Sequence, residues 1–235
     1  SAGYLLTNRH VAEAWADDED LEQLRKSGAD VDPVFTILRA YFPPGGEPLA
    51  LTVVEVSRDQ DVALLRTLRR TIDAPVVLLG RRSAGAAPGQ EVVLIGYPTG
   101  VHNLMFRVDQ TTREEIANSV GDGASPVRLA AELARRNFVQ PLVTLGTISD
   151  TTVAEIIHTA QSTGGGSGGP IISAGGRVMG IHYAFVTSPL EGDPFRTQRA
   201  VKISYAWDIL PNDLARRLNA ATRPTPGTPP SEVRR

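Results

Sequence analysis

Short apolar runs closed by glycine, proline or charged turns dominate this chain, and few of them keep a helical period. Runs of this kind predict strands at Gly3–Leu6, Val34–Tyr41, Leu49–Val56, Val62–Thr67, Val76–Leu79, Glu91–Gly96 and Met105–Val108. They continue at Leu142–Ile148, Glu155–Thr159, Pro170–Ser173, Arg177–Tyr183 and Ala200–Ser204. Between Ile172 and Val178, Ala174-Gly175-Gly176 predicts a tight hairpin. Strands this numerous and this closely spaced predict an all-β chain of antiparallel barrels or sandwiches. The stretch Arg81–Gln90 (RRSAGAAPGQ) divides them into two halves, each the size of one small barrel.

Three segments break the strand pattern. Val11–Lys26 predicts a helix, with the acidic run Asp17–Asp20 on a loop or helix end as a solvated face. Thr111–Asn137 predicts a helical insert of two pieces, Thr112–Ser119 and Pro126–Arg136, split by Gly121-Asp122-Gly123. Ser125-Pro126 opens the second piece with an N-cap serine and a proline in the first turn. Ala206–Ala220 predicts a C-terminal helix, and the Pro-rich Thr222–Arg235 a tail or linker.

Composition narrows the chemistry. Of 235 residues, 41% are hydrophobic, enough for a real core, and the net charge of −2 supplies no field to attract nucleic acid or an anionic membrane. Without cysteine there are no disulfides, thiol nucleophiles or thiolate metal sites. No apolar run reaches the ~18–20 residues of a membrane-spanning helix.

The candidate chemistry lies in three short segments. STGGGSGGPIIS (162–173) has the composition of a flexible linker, yet it runs straight into an apolar strand. Glycines around Ser167 leave room for a substrate carbonyl, and the amides of Gly165 and Ser167 are candidate donors to a developing oxyanion. A serine hydroxyl is a weak nucleophile and needs an adjacent base. Of four histidines, His10 stands in GYLLTNRHVAEA at a strand-to-helix junction, where a ring can be fixed yet stay accessible. The base needs a buried carboxylate to orient it, and Asp61 in SRDQDVALLRT directly precedes an apolar strand; Asp59 lies in the polar turn.

TNRHV, DVALL and GGGSGGP, in the order His, Asp, Ser, resemble the signature segments of the trypsin-like serine proteases, with the greatest likeness to the cysteine-free bacterial branch that includes Deg-type proteases and glutamyl endopeptidases. APVVLLGRRSAGAAPGQEVVLIGYPTG, TLGTIS and GGRVMGIHYAF resemble the framing strands, so the likeness runs over roughly residues 1–210. It implies a chymotrypsin-like fold of two six-stranded antiparallel β-barrels, residues 1–80 carrying His10 and Asp61, and 81–215 carrying Ser167, the oxyanion hole and the specificity pocket. Residues 216–235 would be the end of a helix and a tail. It further implies peptide-bond hydrolysis through an acyl-enzyme, a protein or peptide substrate, no metal and no organic cofactor. A secreted or periplasmic location accords with the resemblance, although no signal peptide is visible.

The chain also departs from that pattern. Only nine residues precede His10, so the first barrel is expected to be truncated at its N-terminus, with strands or a further domain lying beyond either end. Gly166 stands where the family commonly has Asp or Asn before the nucleophile. His182 in GIHYAF, with Ser162 and Thr163 ahead of the nucleophile, resembles the acidic-P1 pocket of glutamyl endopeptidases; a small or aliphatic P1 is the alternative. Tyr183, Ala184 and Phe185 would line the bound peptide, Phe185 narrowing the cleft where the family often has glycine. The insert is read as a lid, a partner-docking element or a decoration packed on the second barrel. His102 and His158 have no identifiable partner and are read as structural or exposed. A protease-fold binding or regulatory module with latent or lost activity is the alternative function, and an unrelated β protein with a linker at 163–169 a third.

Overall fold

The computed structural model describes residues 3–15, 18–42, 47–69, 75–82, 85–97, 104–121, 125–187 and 196–221. Alternating apolar positions in the first half give a curled four-stranded sheet, built from β1 (Tyr4–Thr7), β2 (Arg39–Ala40), β3 (Leu49–Val56) and β4 (Ala63–Thr67) in the order β1-β4-β3-β2. β4 is central and almost wholly buried, pairing antiparallel with β1 (Thr7 opposite Ala63) and with β3 (Val56 opposite Ala63). After β1 the short helix α1 (Arg9–Ala12) turns back, and its buried Ala12 packs on Ala63 and Leu65.

The second half closes. β6 (Glu91–Gly96), β7 (Leu142–Thr151), β8 (Glu155–His158), β9 (Pro170–Ser173), β10 (Arg177–Thr187) and β11 (Arg196–Lys202) run in the order β11-β8-β7-β6-β9-β10, and β10 pairs back onto β11. Val92, Leu94, Ile148, Ile156, Ile171 and Met179 fill this barrel. β5 (Leu78–Leu79), at the end of the first half, pairs in parallel with β10 rather than joining the first sheet. A shared core lies between the sheets, where Val62 and Leu64 meet Leu79, Val178, Ile181, Trp207 and Leu214. The buried Trp207 indole donates to the Gly80 carbonyl at 2.9 Å.

The insert folds on its own residues. α3 (Gln110–Val120) begins at Asp109, which accepts from the Thr112 amide, and α4 (Pro126–Arg135) begins at Ser125, which accepts from the Arg128 amide. Leu104, Val108, Ile116, Leu129 and Leu133 make a separate small core, and Arg136 pairs with Glu115 across the helices at 2.9 Å. Among the described residues, the side chains of this core come from the hairpin and its flanks.

Several local expectations differ from the structure. The expected strand Met105–Val108 is a helical turn that leads into the insert core, because the four residues Met-Phe-Arg-Val are too few to carry a period of their own. Val11–Lys26 is two helices: α1 ends at Ala12, and Asp18 caps a new start at α2 (Glu19–Lys26), accepting from the Leu21 amide at 3.0 Å. Of Val34–Tyr41, Arg39–Ala40 forms the strand, the Leu38 carbonyl before it accepts the Leu51 amide at 3.0 Å, and Val34 and Ile37 are exposed. Helix α5 (Ile203–Asp208) starts inside the expected strand Ala200–Ser204. Pro211 separates α5 from α6 (Asn212–Ala221) within the expected helix Ala206–Ala220, since proline cannot continue a helix that needs its N–H. Asp17, His102, the Phe185 side chain and the tail 222–235 lie outside the described residues.

Candidate active site

Local geometry delivers His10 and Asp61 to one wall. β1 ends at Thr7, Asn8 has the extended backbone of a helix cap, and His10 falls in the first turn of α1. The turn between β3 and β4 is closed by Ser57, whose amide donates to the Val62 carbonyl at 2.8 Å and whose hydroxyl accepts from the Gln60 amide at 3.2 Å. That turn presents Asp61. Its Oδ2 lies 2.7 Å from His10 Nδ1, and its Oδ1 accepts the His10 backbone N–H at 3.0 Å. Asp59 is exposed and makes no bond to His10. Asp61 is less buried than expected, at 26% side-chain exposure, because the pair borders a cleft of about 600 Å³ that Arg58, Glu155 and Tyr183 also line.

The Ser167 loop is an ordered turn, not a spacer. Gly165 and Gly168 sit at φ of 83° and 85°, which favours glycine at both. The Gly166 amide donates to the Thr163 carbonyl at 3.0 Å and the Gly169 amide to the Gly166 carbonyl at 3.1 Å. The Gly164 carbonyl accepts from the Thr163 hydroxyl at 3.3 Å. Among the described residues, the amides of Gly165 and Ser167 have no acceptor and remain available to a ligand oxygen. The Ser167 hydroxyl donates to the Tyr183 carbonyl at 3.1 Å, and among the described residues no hydrogen bond joins it to His10.

The structure brings the three segments together through a residue that the sequence reading passed over. Asn8 donates from Nδ2 to the Asp61 carbonyl at 2.8 Å, and its Oδ1 accepts from the Gly168 amide at 2.6 Å. Its place two residues before His10 was the available signal; at a helix start, an asparagine reads as a cap.

Behind the loop, Ser162 and His182 are buried and Thr163 is exposed. A side chain on Gly166 would collide with the Ser162 hydroxyl and press on the Thr163 carbonyl, with His182 in contact, which accounts for glycine where the family commonly has an acid. His158 is not exposed, and it does have a neighbour: its ring stands edge-on to His182 with centroids 5.4 Å apart. Burial pulls the pKa of both rings down to about 4, and for His158 the nearby His182 adds to the effect. Among the described residues, both His158 nitrogens and His182 Nδ1 lack hydrogen-bond partners. Ala184 is half-buried beside a register shift in the β10–β11 pairing. The Tyr183 hydroxyl donates to Glu155, which also takes Arg199 at 3.1 Å; no motif in the sequence marks that network.

An open curled sheet, a closed six-stranded barrel and a cleft bearing a His–Asp pair define a chymotrypsin-like double-barrel fold. A family model described as the trypsin-like peptidase domain matches residues 1–181, and the chain belongs to that family. Among solved structures, the chain is similar to a serine endoprotease from Yersinia pestis, with a TM-score of 0.52 and 20% sequence identity over 92% of this chain and 54% of that one. It therefore spans about half the length of that chain. A comparison with curated proteins found no match. Among the described residues, no helix is long and apolar enough to cross a membrane.

Proposed function

We propose that this chain is a serine endopeptidase that hydrolyses peptide bonds with Ser167 as nucleophile, His10 as base and Asp61 as the group orienting it. The observation that carries the reading is the two-point hold of Asp61 on His10, beside a serine loop with two unused amides. Residues 1–80 supply the base and its carboxylate, and residues 81–215 the nucleophile and pocket. Ser167 leaves the Tyr183 carbonyl and gives its proton to His10 Nε2 as Oγ attacks the substrate carbonyl carbon. The amides of Gly165 and Ser167 receive the oxyanion. Collapse breaks the C–N bond, the leaving amine takes the proton from His10, and the acyl group stays on Ser167. Water then attacks that ester, passing its proton through His10 back to Ser167. The Tyr183 carbonyl, once released, accepts a substrate N–H, with Ala184 and Phe185 continuing that strand.

The buried His182, next to Ser162 and with no hydrogen-bond partner at Nδ1 among the described residues, supports a pocket for an acidic P1 side chain, with Thr163 at its rim. A small or aliphatic P1 is the competing reading. The test of the whole proposal is labelling with a fluorophosphonate probe and mapping of the adduct. Modification at Ser167, absent in Ser167→Ala, is the expected result. The Ser167–Tyr183 contact supports a second reading, a latent module, in which the folded protein takes no label.

A further inference from the structure

An asparagine at a helix cap ordinarily turns its side chain back to the amides of its own helix. Asn8 has the cap position and the extended backbone, with φ −78° and ψ 154°, yet makes no such bond. Its side chain is fully buried and is spent on two partners 53 and 160 residues away. These partners share a property. The Asp61 carbonyl belongs to the peptide plane attached to the Asp61 Cα, and the Gly168 amide to the plane attached to the Ser167 Cα. Asn8 is itself one residue removed from the peptide plane of His10. A single short side chain therefore touches the backbone planes that carry the carboxylate and the nucleophile, and stands on the segment that carries the base.

The surroundings favour positioning over general support. The Gly168 amide is shared with the His182 carbonyl at 2.9 Å, so the loop would keep a backbone anchor without Asn8 but would lose its tie to the first sheet. The approach is close: a Cβ on Gly168 would lie 2.5 Å from Thr7 Oγ1. We infer that Asn8 is a positioning residue that sets the span between the His10–Asp61 pair and Ser167 across the two halves of the fold. This rests on the triad reading above. Asn8 touches no reacting atom; it acts through the planes it holds.

The experiment is saturation kinetics of fluorophosphonate labelling on the whole chain, comparing wild type, Asn8→Ala and Asn8→Ser, with thermal melting to establish folding. A misplacement of about 1 Å costs roughly 10²-fold in rate. The maximal labelling rate of Asn8→Ala is therefore expected to fall about 10²-fold, with the half-saturating probe concentration changed less than about threefold. Asn8→Ser, able to reach one partner at most, is expected to lie between and carries the test if the alanine variant does not fold. Equal maximal rates in wild type and a folded variant overturn the inference alone, as does a loss confined to the half-saturating concentration. A wild type without label on Ser167 overturns the triad reading, and this inference with it.

Discussion

Asp61 grips His10 at two points, one carboxylate oxygen on the ring nitrogen at 2.7 Å and the other on the backbone amide at 3.0 Å. In the proposed mechanism this grip holds the proton on Nδ1 and leaves Nε2 to serve as the base. Asp61→Asn keeps the shape but can present an N–H where an acceptor is required. Fluorophosphonate labelling at pH 7 is expected to slow by on the order of 10³–10⁴-fold, with little change in melting temperature. A variant labelling within tenfold of wild type would remove Asp61 from the proposed machinery.

The buried histidine pair sets a pH window for stability. In the fold both rings stay neutral down to about pH 4, whereas the unfolded chain protonates them near their ordinary value of 6.5. Between those values the unfolded state binds more protons. The stabilisation is therefore complete above pH 6.5 and lost as pH falls toward 4, by up to roughly 3 kcal/mol per ring. Glu132, held down at about 2 by hydrogen bonds from Arg135 and Arg136, adds its own loss as pH falls below its ordinary value of 4.5, at the foot of this window. Melting curves from pH 7 to 4 are expected to fall steeply for wild type and less steeply for His158→Gln. Matching slopes would show that His158 does not contribute.

Gly166 and Ser162 exclude one another's alternatives. A Cβ at Gly166 collides with the Ser162 hydroxyl, so Gly166→Ala alone is expected to cost about 1–3 kcal/mol and to slow labelling. Ser162→Gly combined with Gly166→Ala is expected to recover part of the stability, since the Thr163 carbonyl still stands 3.1 Å from the added Cβ. Denaturant unfolding of both proteins checks the pair, and strict additivity of the two substitutions would contradict it.

Specificity can be read with peptides that differ only at P1. If His182 and Ser162 receive a carboxylate, Glu or Asp at P1 is cleaved best, and His182→Ala is expected to lower the Glu-over-Ala preference at least tenfold. An unchanged preference assigns the pocket to small or aliphatic side chains instead.

Legibility in the sequence followed physical locality. Leu49–Val56 and Glu91–Gly96 were readable because turn residues bound their apolar runs, and each came out as the strand expected. The glycines beside Ser167 advertised their backbone demands in the same way. Met105–Val108 failed for want of length, and the single helix Val11–Lys26 came out as two because Asp18, within the acidic run placed on a loop or helix end, caps a fresh start. The Asn8 bridge was out of reach for another reason. Its partners are 53 and 160 residues away, and nothing local to TNRHV distinguishes an asparagine that caps its helix from one that spans two sheets.

The apolar seam that joins Val62 and Leu64 to Ile181, Trp207 and Leu214 gives the two sheets a common thermal fate. Neither can come apart without exposing side chains that belong equally to its neighbour. Calorimetry is expected to record one endotherm for both, with the self-contained hairpin of α3 and α4 free to melt as a separate, smaller step. Evolution or an engineer could therefore exchange that hairpin as a cassette, whereas cutting the chain between the two sheets would leave two fragments that fold only when recombined.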